Sequence, residues 1–248
     1  MSKTFITFGG GGINYVQAGI RLATQAKSLD VFDNIILFTD DVLKQDYEFN
    51  TRHGEFVRNN SHRGYGYWIW KPYIIKKTME KMRDGDILLY LDSGCEIDAR
   101  RKDSMTQFFE IVKTDYIIGT EVCVERDFNK MDLLLKLDML DNKYLDAPQR
   151  QGGVTMFLVC DKTRELVNEW YELACDYHNI DDSPSNATNF SSFNVHRHDQ
   201  SIFSLLTKKH KIFSKHFLYD GDYRNPYTSK IYSCIEVLKN CYGYSRLN

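Results

Sequence analysis

The sequence predicts an α/β protein: a single domain with a mostly parallel central sheet flanked by helices. Three observations carry that expectation. Apolar runs at Thr4–Phe8, Asn34–Phe38 and Ile87–Leu91 lack polar alternation, as strands buried on both faces require. A helical pattern lies between the first two, so strand–helix–strand is complete within the first forty residues. No linker or internal repeat divides the 248 residues, which suffice to bury a sizeable core.

The elements follow in order. Thr4–Phe8 is a strand ended by Gly9–Gly12. Tyr15–Leu29 is a helix, with Val16, Ile20 and Ala23 at i, i+4 and i+7. Asn34–Phe38 is the second strand. Pro72 suits a first helical turn, Ile75, Met79 and Met82 mark one helical face, and Asp84-Gly85 stops it. Ile87–Leu91 is a buried strand ending on Asp92. Residues 104–113 are helical, Tyr116–Gly119 is a short strand, and 128–142 is one amphipathic helix. Val154–Cys160 is a strand, followed by a helix to about His178. Residues 179–195 are polar and patternless, the mark of a lid, a binding loop or disorder. Asp199–Lys208 returns to helix, and 211–218 form a last strand.

Composition excludes several classes. The formal charge is −2, unlike a protein that binds nucleic acid through its phosphates. No run approaches the roughly 18 apolar residues of a membrane span, and the N-terminus lacks a signal peptide's apolar stretch, so a cytoplasmic protein is expected. The six cysteines form no C-x-x-C pair, consistent with reduced thiols.

Four tracts are chemically informative. In FGGGGIN (8–14), glycines between strand and helix let backbone amides approach a phosphate. The dinucleotide pattern G-x-G-x-x-G fails at Asn14, although Asp40 stands where a ribose-binding acid belongs, so a nicotinamide enzyme and a plain flexible turn both stay open. RGYGYWIWKPY (63–73) reads either as core aromatics or as a wall for a ring, with Arg63 and Lys71 to neutralise phosphate. QRQGGVTMF (149–157) reads as a tight Gly-Gly turn, either plain or bare so that Gly152 and Gly153 can meet a hydroxylated ligand. VHRHDQS (195–201) departs from the metallo-hydrolase H-x-H-x-D-H. Asp199 is either a carboxylate favoured at a helix start or a functional acid at the mouth of a site.

Taken in order, TFGGGGINY, RGYGYWIWKPYII with DGDILLYLDSGC, QGGVTMF and HRHDQSI resemble the GT-A fold of nucleotide-sugar-dependent glycosyltransferases. The resemblance is to the small capsular-polysaccharide-type and large-DNA-virus enzymes, and it spans residues 7 to about 202. It implies a Rossmann-like nucleotide-sugar half (1–100) and a sugar and acceptor half (101–248). It implies a UDP-sugar donor, a glycan or other hydroxyl acceptor, a role in polysaccharide biosynthesis, and Mn²⁺ or Mg²⁺. The base would lie near Phe8, Gly9 and Tyr15. Asp92 would hold the metal in place of Asp-x-Asp, beside Ser93, with His216 as a further ligand. Arg63 and Lys71 would meet the diphosphate. Gln151, Gly152, Gly153 and His198 would line the sugar and acceptor side, and Asp199 would be catalytic. Gly94 replaces the second acid of Asp-x-Asp, which leaves Glu96, His216, or phosphate and water to complete the shell, or Arg63 and Lys71 to do the metal's work. A sugar-phosphate nucleotidyltransferase is disfavoured because no Lys or Arg precedes Arg21 in the glycine tract; a non-catalytic glycan-binding module is the other alternative.

Overall fold

The computed structural model describes residues 1–98 and 102–213, together with the backbone of 235–237. A five-stranded sheet has the order β2-β1-β3-β6-β5, built from β1 (Lys3–Phe8), β2 (Asn34–Phe38), β3 (Ile87–Leu91), β5 (Ile117–Val124) and β6 (Pro148–Leu158). β1 pairs in parallel with β2 and β3, while β6 runs antiparallel to both β3 and β5. The sheet is therefore mixed, with β6 alone reversed. β4 (Cys95–Ile97) pairs antiparallel with β7 (Ile235–Val237) in a separate ribbon, absent from the elements expected above.

Apolar side chains alternate to both faces of the sheet. Phe5, Leu89, Leu91, Val154 and Met156 meet α1 (Ile13–Leu29) and α6 (Lys102–Asp115). Ile6, Phe8, Leu88, Tyr90 and Phe157 meet α3 (Tyr47–Asn59), α5 (Trp70–Met79), α10 (Asp161–Cys175) and α11 (His198–Lys209). Tyr90 is fully buried, as are Leu88 and Leu89, which explains the uninterrupted apolar reading of β3.

Several expectations are corrected. Residues 128–142 are not one helix but parts of α7 (Glu125–Phe128), α8 (Met131–Lys136) and α9 (Asn142–Leu145). Asn129 is extended and Asp138 is left-handed at φ 55°, and each interrupts the helical ladder. Gly152 and Gly153 are not a turn; they lie inside β6, which begins earlier than the apolar run suggests. A short helix, α2 (Asp40–Gln45), follows β2, with Thr39 accepting from the Val42 amide as N-cap. The strand expected at 211–218 is absent at Lys211, which is left-handed at φ 56°; residues 214–218 lie outside the described residues.

The segment α4 (Gly64–Tyr67) is a left-handed turn. Gly64, Tyr65, Gly66, Tyr67 and Trp68 have φ of 54°, 51°, 87°, 53° and 60°. Left-handed backbone costs roughly 1–2 kcal/mol at each non-glycine residue. Contacts offset that cost: Trp70 Nε1 donates to the Gly64 carbonyl at 2.9 Å, Tyr67 is buried, and Trp68 stacks on His198 with centroids 5.0 Å apart. Strain of this kind persists only where surrounding packing over-determines it, and it concentrates at functional sites.

Candidate active site

The connection from β1 leads through α1 to β2 on one side, and the chain then returns to β3 on the other. β1 and β3 are thus neighbours whose onward connections diverge, the switch point at which parallel sheets open a crevice beyond their carboxyl ends. Gly9–Gly12 leaves one strand there and Asp92–Gly94 the other. Gly11, at φ 84°, packs against Tyr65 of the left-handed turn; a Cβ on it would lie 3.3 Å from the Tyr65 ring.

At the centre is a cation between two acids. Lys71 Nζ lies 3.3 Å from Asp92 Oδ1 and 3.2 Å from Asp199 Oδ2. Lys71 and Asp199 are each 3% exposed, whereas the Asp92 side chain is 36% exposed and faces the opening. The Tyr90 hydroxyl also donates to Asp92 Oδ1. The Asp92 amide donates to the Gly153 carbonyl at 2.8 Å, and a Cβ on Gly153 would lie 2.3 Å from Asp92 Oδ2. Only glycine lets the two backbones close around that carboxylate. Apart from Lys71, Asp199 Oδ2 has no hydrogen-bond partner among the described residues. Burial pushes the Asp199 carboxyl up to about 6, against the pull of Lys71, and the neighbouring Asp92 charge adds to the rise.

A second cluster borders the first. His198 Nδ1 donates to the Ile180 carbonyl at 2.7 Å, which leaves Nε2 as the acceptor for Arg63 Nη2 at 3.3 Å. Arg63 Nε also lies 3.3 Å from Asp182 Oδ2. Burial lowers the His198 pKa to about 4, so the ring is neutral at pH 7. His196 is buried too, donating from Nε2 to the Asn179 carbonyl at 2.8 Å and accepting the Lys130 amide on Nδ1; burial lowers it to about 3.

The structure brings together Lys71, Asp92, Gly152, Gly153 and Asp199, with Arg63 and His198 alongside. The Gln151 side-chain carbonyl is buried without a partner among the described residues. Other assignments change. The Phe8 ring stacks on Trp70 at 3.9 Å and is only 4% exposed, so its face is not offered to a base; Tyr15, 37% exposed, and the Gly9 backbone remain at the crevice. Arg63 and Lys71 face carboxylates rather than open space. The Ser93 carbonyl accepts from Arg21 Nη2 at 2.8 Å, an anchor for the turn after β3. Glu96 points to α1, accepting from Gln25 at 3.0 Å. His216 lies outside the described residues.

The donor set for a divalent ion is poor. Among the described residues no three His, Cys, Asp or Glu side chains gather as metal ligands. Gly94 supplies no carboxylate, and Asp92 Oδ1 already holds Lys71 and Tyr90. A hard cation takes about six or more oxygen ligands, and one or two carboxylates can suffice when phosphate and water supply the rest. Among the described residues Asp92, its side chain 36% exposed, is the acid that could hold such an ion against a diphosphate.

Two groups of this site carry no signal in the sequence pattern. One is Tyr90, although it stands two residues before Asp92, and alternate strand residues share a face. The other is an amide relay: Gly152 N donates to Gln200 Oε1 at 3.2 Å, Gln200 Nε2 to Gln149 Oε1 at 2.6 Å, and Gln149 Nε2 to Glu125 Oε2 at 3.0 Å. Glu125 is fully buried and paired with Lys208 at 2.6 Å. A carboxylate can only accept, so it fixes the direction of both glutamine amides.

No protein-family model matches the sequence, and no curated protein matches it either. Solved structures of similar course include mouse xyloside xylosyltransferase 1 in its apo form, with TM-score 0.47, 10% identity, and coverage of 96% of this chain and 97% of that one. The galactosyltransferase LgtC with donor and acceptor sugar analogues gives TM-score 0.47, 14% identity, and coverage of 94% and 86%. An active-site mutant of LgtC gives TM-score 0.47, 13% identity, and coverage of 98% and 92%. These structural neighbours are glycosyltransferases. No helix among the described residues is long and apolar enough to cross a membrane.

Proposed function

We propose that the chain is a glycosyltransferase that moves a sugar from a nucleoside diphosphate sugar, a UDP-sugar, to a hydroxyl of a glycan. The observation that carries this reading is the Asp92–Lys71–Asp199 cluster at the switch point between β1 and β3, opposite a glycine loop that opens a helix. The glycine loop and the α1 N-terminus suit a diphosphate. The bare backbone of Gly152 and Gly153 lets Asp92 and Asp199 pack directly against β6, which holds the two carboxylates side by side.

In the reaction, an acceptor hydroxyl oxygen bonds to the anomeric carbon, the bond from that carbon to the diphosphate oxygen breaks, and the hydroxyl proton passes to a base. Asp199 is assigned to the reacting centre: with a pKa of about 6 it is ionised at neutral pH yet basic enough to take a proton. Lys71 holds both carboxylates in place and limits their repulsion of the departing diphosphate. Arg63 and His198 flank the acceptor side, and Tyr15 and Gly9 the nucleotide side.

Thermal shift against UDP and a panel of UDP-sugars, with and without Mn²⁺, tests the reading, since a ligand at roughly 100 times its Kd adds about 2.7 kcal/mol to apparent stability. A rise with UDP-sugars, and slow release of UDP from at least one, is expected. Asp199→Asn should keep the shift and lose transfer to acceptor. A protein stabilised by no nucleotide, or a variant that transfers at full rate, overturns the assignment.

A further inference from the structure

Residues 176–197 contain one turn of 3-10 helix, Tyr177–Asn179, and otherwise no regular structure, yet they are tightly held. Two charged residues at the start of α8 hold them. The Asp132 carboxylate accepts from the Asn186 amide at 2.7 Å, the Ala187 amide at 2.9 Å and His178 Nε2 at 2.7 Å. Burial pushes that carboxyl up, but these hydrogen bonds outweigh it and keep the group well below the usual carboxylate range. Lys130 Nζ donates to the His178 carbonyl at 2.8 Å, Asp181 at 2.9 Å and Ser183 at 3.2 Å. Further along, the Met131 amide donates to Asn189 Oδ1 at 2.8 Å, and the Asn194 amide to the Asp127 carbonyl at 2.7 Å. The segment is pinned at several points along its length to the residues around the start of α8.

The segment borders a half-open depression of about 410 Å³. That lies within the roughly 300–1,000 Å³ of small-molecule sites. Its lining residues include Ser185 and Thr188 with their hydroxyls, Asn189 and Asn194 with their amide nitrogens, and half-buried Phe193, while Ser183 Oγ and Asn189 Oδ1 are engaged by Lys130 and the Met131 amide. The charges around it are matched internally: Lys130 with Asp181 at 2.9 Å, Asp132 with His178 at 2.7 Å, and Asp182 with Arg63 at 3.3 Å. A wall of hydroxyls and amides with one aromatic face and balanced charge suits a neutral polyhydroxylated ligand rather than an anion. Asp182 lines the cavity, and its other carboxylate oxygen lies 3.8 Å from His198 Nε2, one residue from Asp199. A preformed site avoids the entropy of ordering a loop on binding.

We propose that this cavity binds a neutral oligosaccharide, the acceptor glycan, and seats it beside the Arg63–His198 cluster that Asp182 meets; the acceptor role rests on the glycosyltransferase reading above. The aromatic face of Phe193 would lie against the C–H face of a sugar ring, and the hydroxyl and amide side chains would meet its hydroxyls.

Saturation-transfer NMR of the full chain with panels of neutral and of anionic oligosaccharides tests this, beside the wild-type protein's thermal shift with UDP. Neutral oligosaccharides are expected to show transfer. Thr188→Trp, which fills the cavity from an exposed position, and Phe193→Ala should each weaken binding at least tenfold and leave the UDP shift unchanged. UDP binding with no oligosaccharide signal, a signal from anionic oligosaccharides alone, or variants that bind like wild type overturns the proposal. Oligosaccharide binding that the variants abolish, in a protein that no nucleotide stabilises, upholds the cavity as a glycan site and refutes the transferase reading instead.

Discussion

Replacing Lys71 with methionine isolates the charge balance at the centre of the site. The side chain keeps its length and loses an ammonium that is 3.2 Å from Asp199 and 3.3 Å from Asp92. At an effective dielectric of about 20, each contact is a gross attraction of roughly 5 kcal/mol. Desolvation of the three groups cancels part of it, and breaking a buried pair by removing one partner costs roughly 3–5 kcal/mol. For a chain of this length that is a fall in Tm of roughly 6–20 °C. The cost falls on Asp199, since Asp92 is 36% exposed and water can solvate it. Lys71→Met should therefore raise the Asp199 pKa further. An acid whose folded pKa is raised contributes stability below its unfolded pKa of about 3.9 and loses it as pH rises through the folded value. The variant should then be least stable, relative to wild type, at and above neutral pH and should recover on acidification toward pH 5. Adding Asp199→Asn should restore roughly 2 kcal/mol or more, because the uncompensated anion is gone. Urea unfolding at pH 7 and pH 5 measures wild type, Lys71→Met, Asp199→Asn and the double variant. Strictly additive losses, or a Lys71→Met protein within about 1 kcal/mol of wild type at pH 7, refute the charge-balance account.

Gly153→Ala places a methyl 2.3 Å from Asp92 Oδ2 and should lower transfer at least tenfold while far-ultraviolet circular dichroism stays native; full activity would show that the carboxylate's position is not critical. Glu125→Gln leaves Lys208, with its side chain 8% exposed, without its anion and should cost roughly 3 kcal/mol in urea unfolding, with Lys208→Gln added in the same chain recovering part of it. Acidification should destabilise the wild type. His53, His196 and His198 have folded pKa values lowered to about 4, about 3 and about 4, so their contribution is present above the unfolded value of about 6.5 and lost as pH falls toward those folded values. At pH 5 that loss is roughly 2 kcal/mol each, and protonation of Asp199 returns about 1 kcal/mol, so the urea-derived stability should be about 4–5 kcal/mol lower at pH 5 than at pH 7. A stability that is flat or rising over that interval contradicts the neutral assignment of these rings.

Local sequence is enough to specify the strands β1, β2 and β3, the helix between the first two, and the glycine tract that follows β1. Unbroken apolar runs mark strands covered on both faces, and glycine marks sharp backbone. Local sequence also singles out Asp92 and Asp199, because an acid that ends an apolar strand or opens an apolar helix needs a reason to be there. It carries no sign that Lys71 joins them, since the three residues are distant in the chain and meet only when α5 and α11 pack on one face of the sheet. The family resemblance puts Phe8 at a nucleotide base, whereas packing turns the ring into Trp70. Local sequence makes QGG a turn, whereas pairing with β3 draws those glycines into β6, where their missing side chains make room for Asp92. Residues 179–195 look patternless because their order comes from Lys130 and Asp132, some fifty residues earlier in the chain. Periodicity records which side chains leave water; which charges then face one another is settled only when helices distant in sequence close over the same sheet.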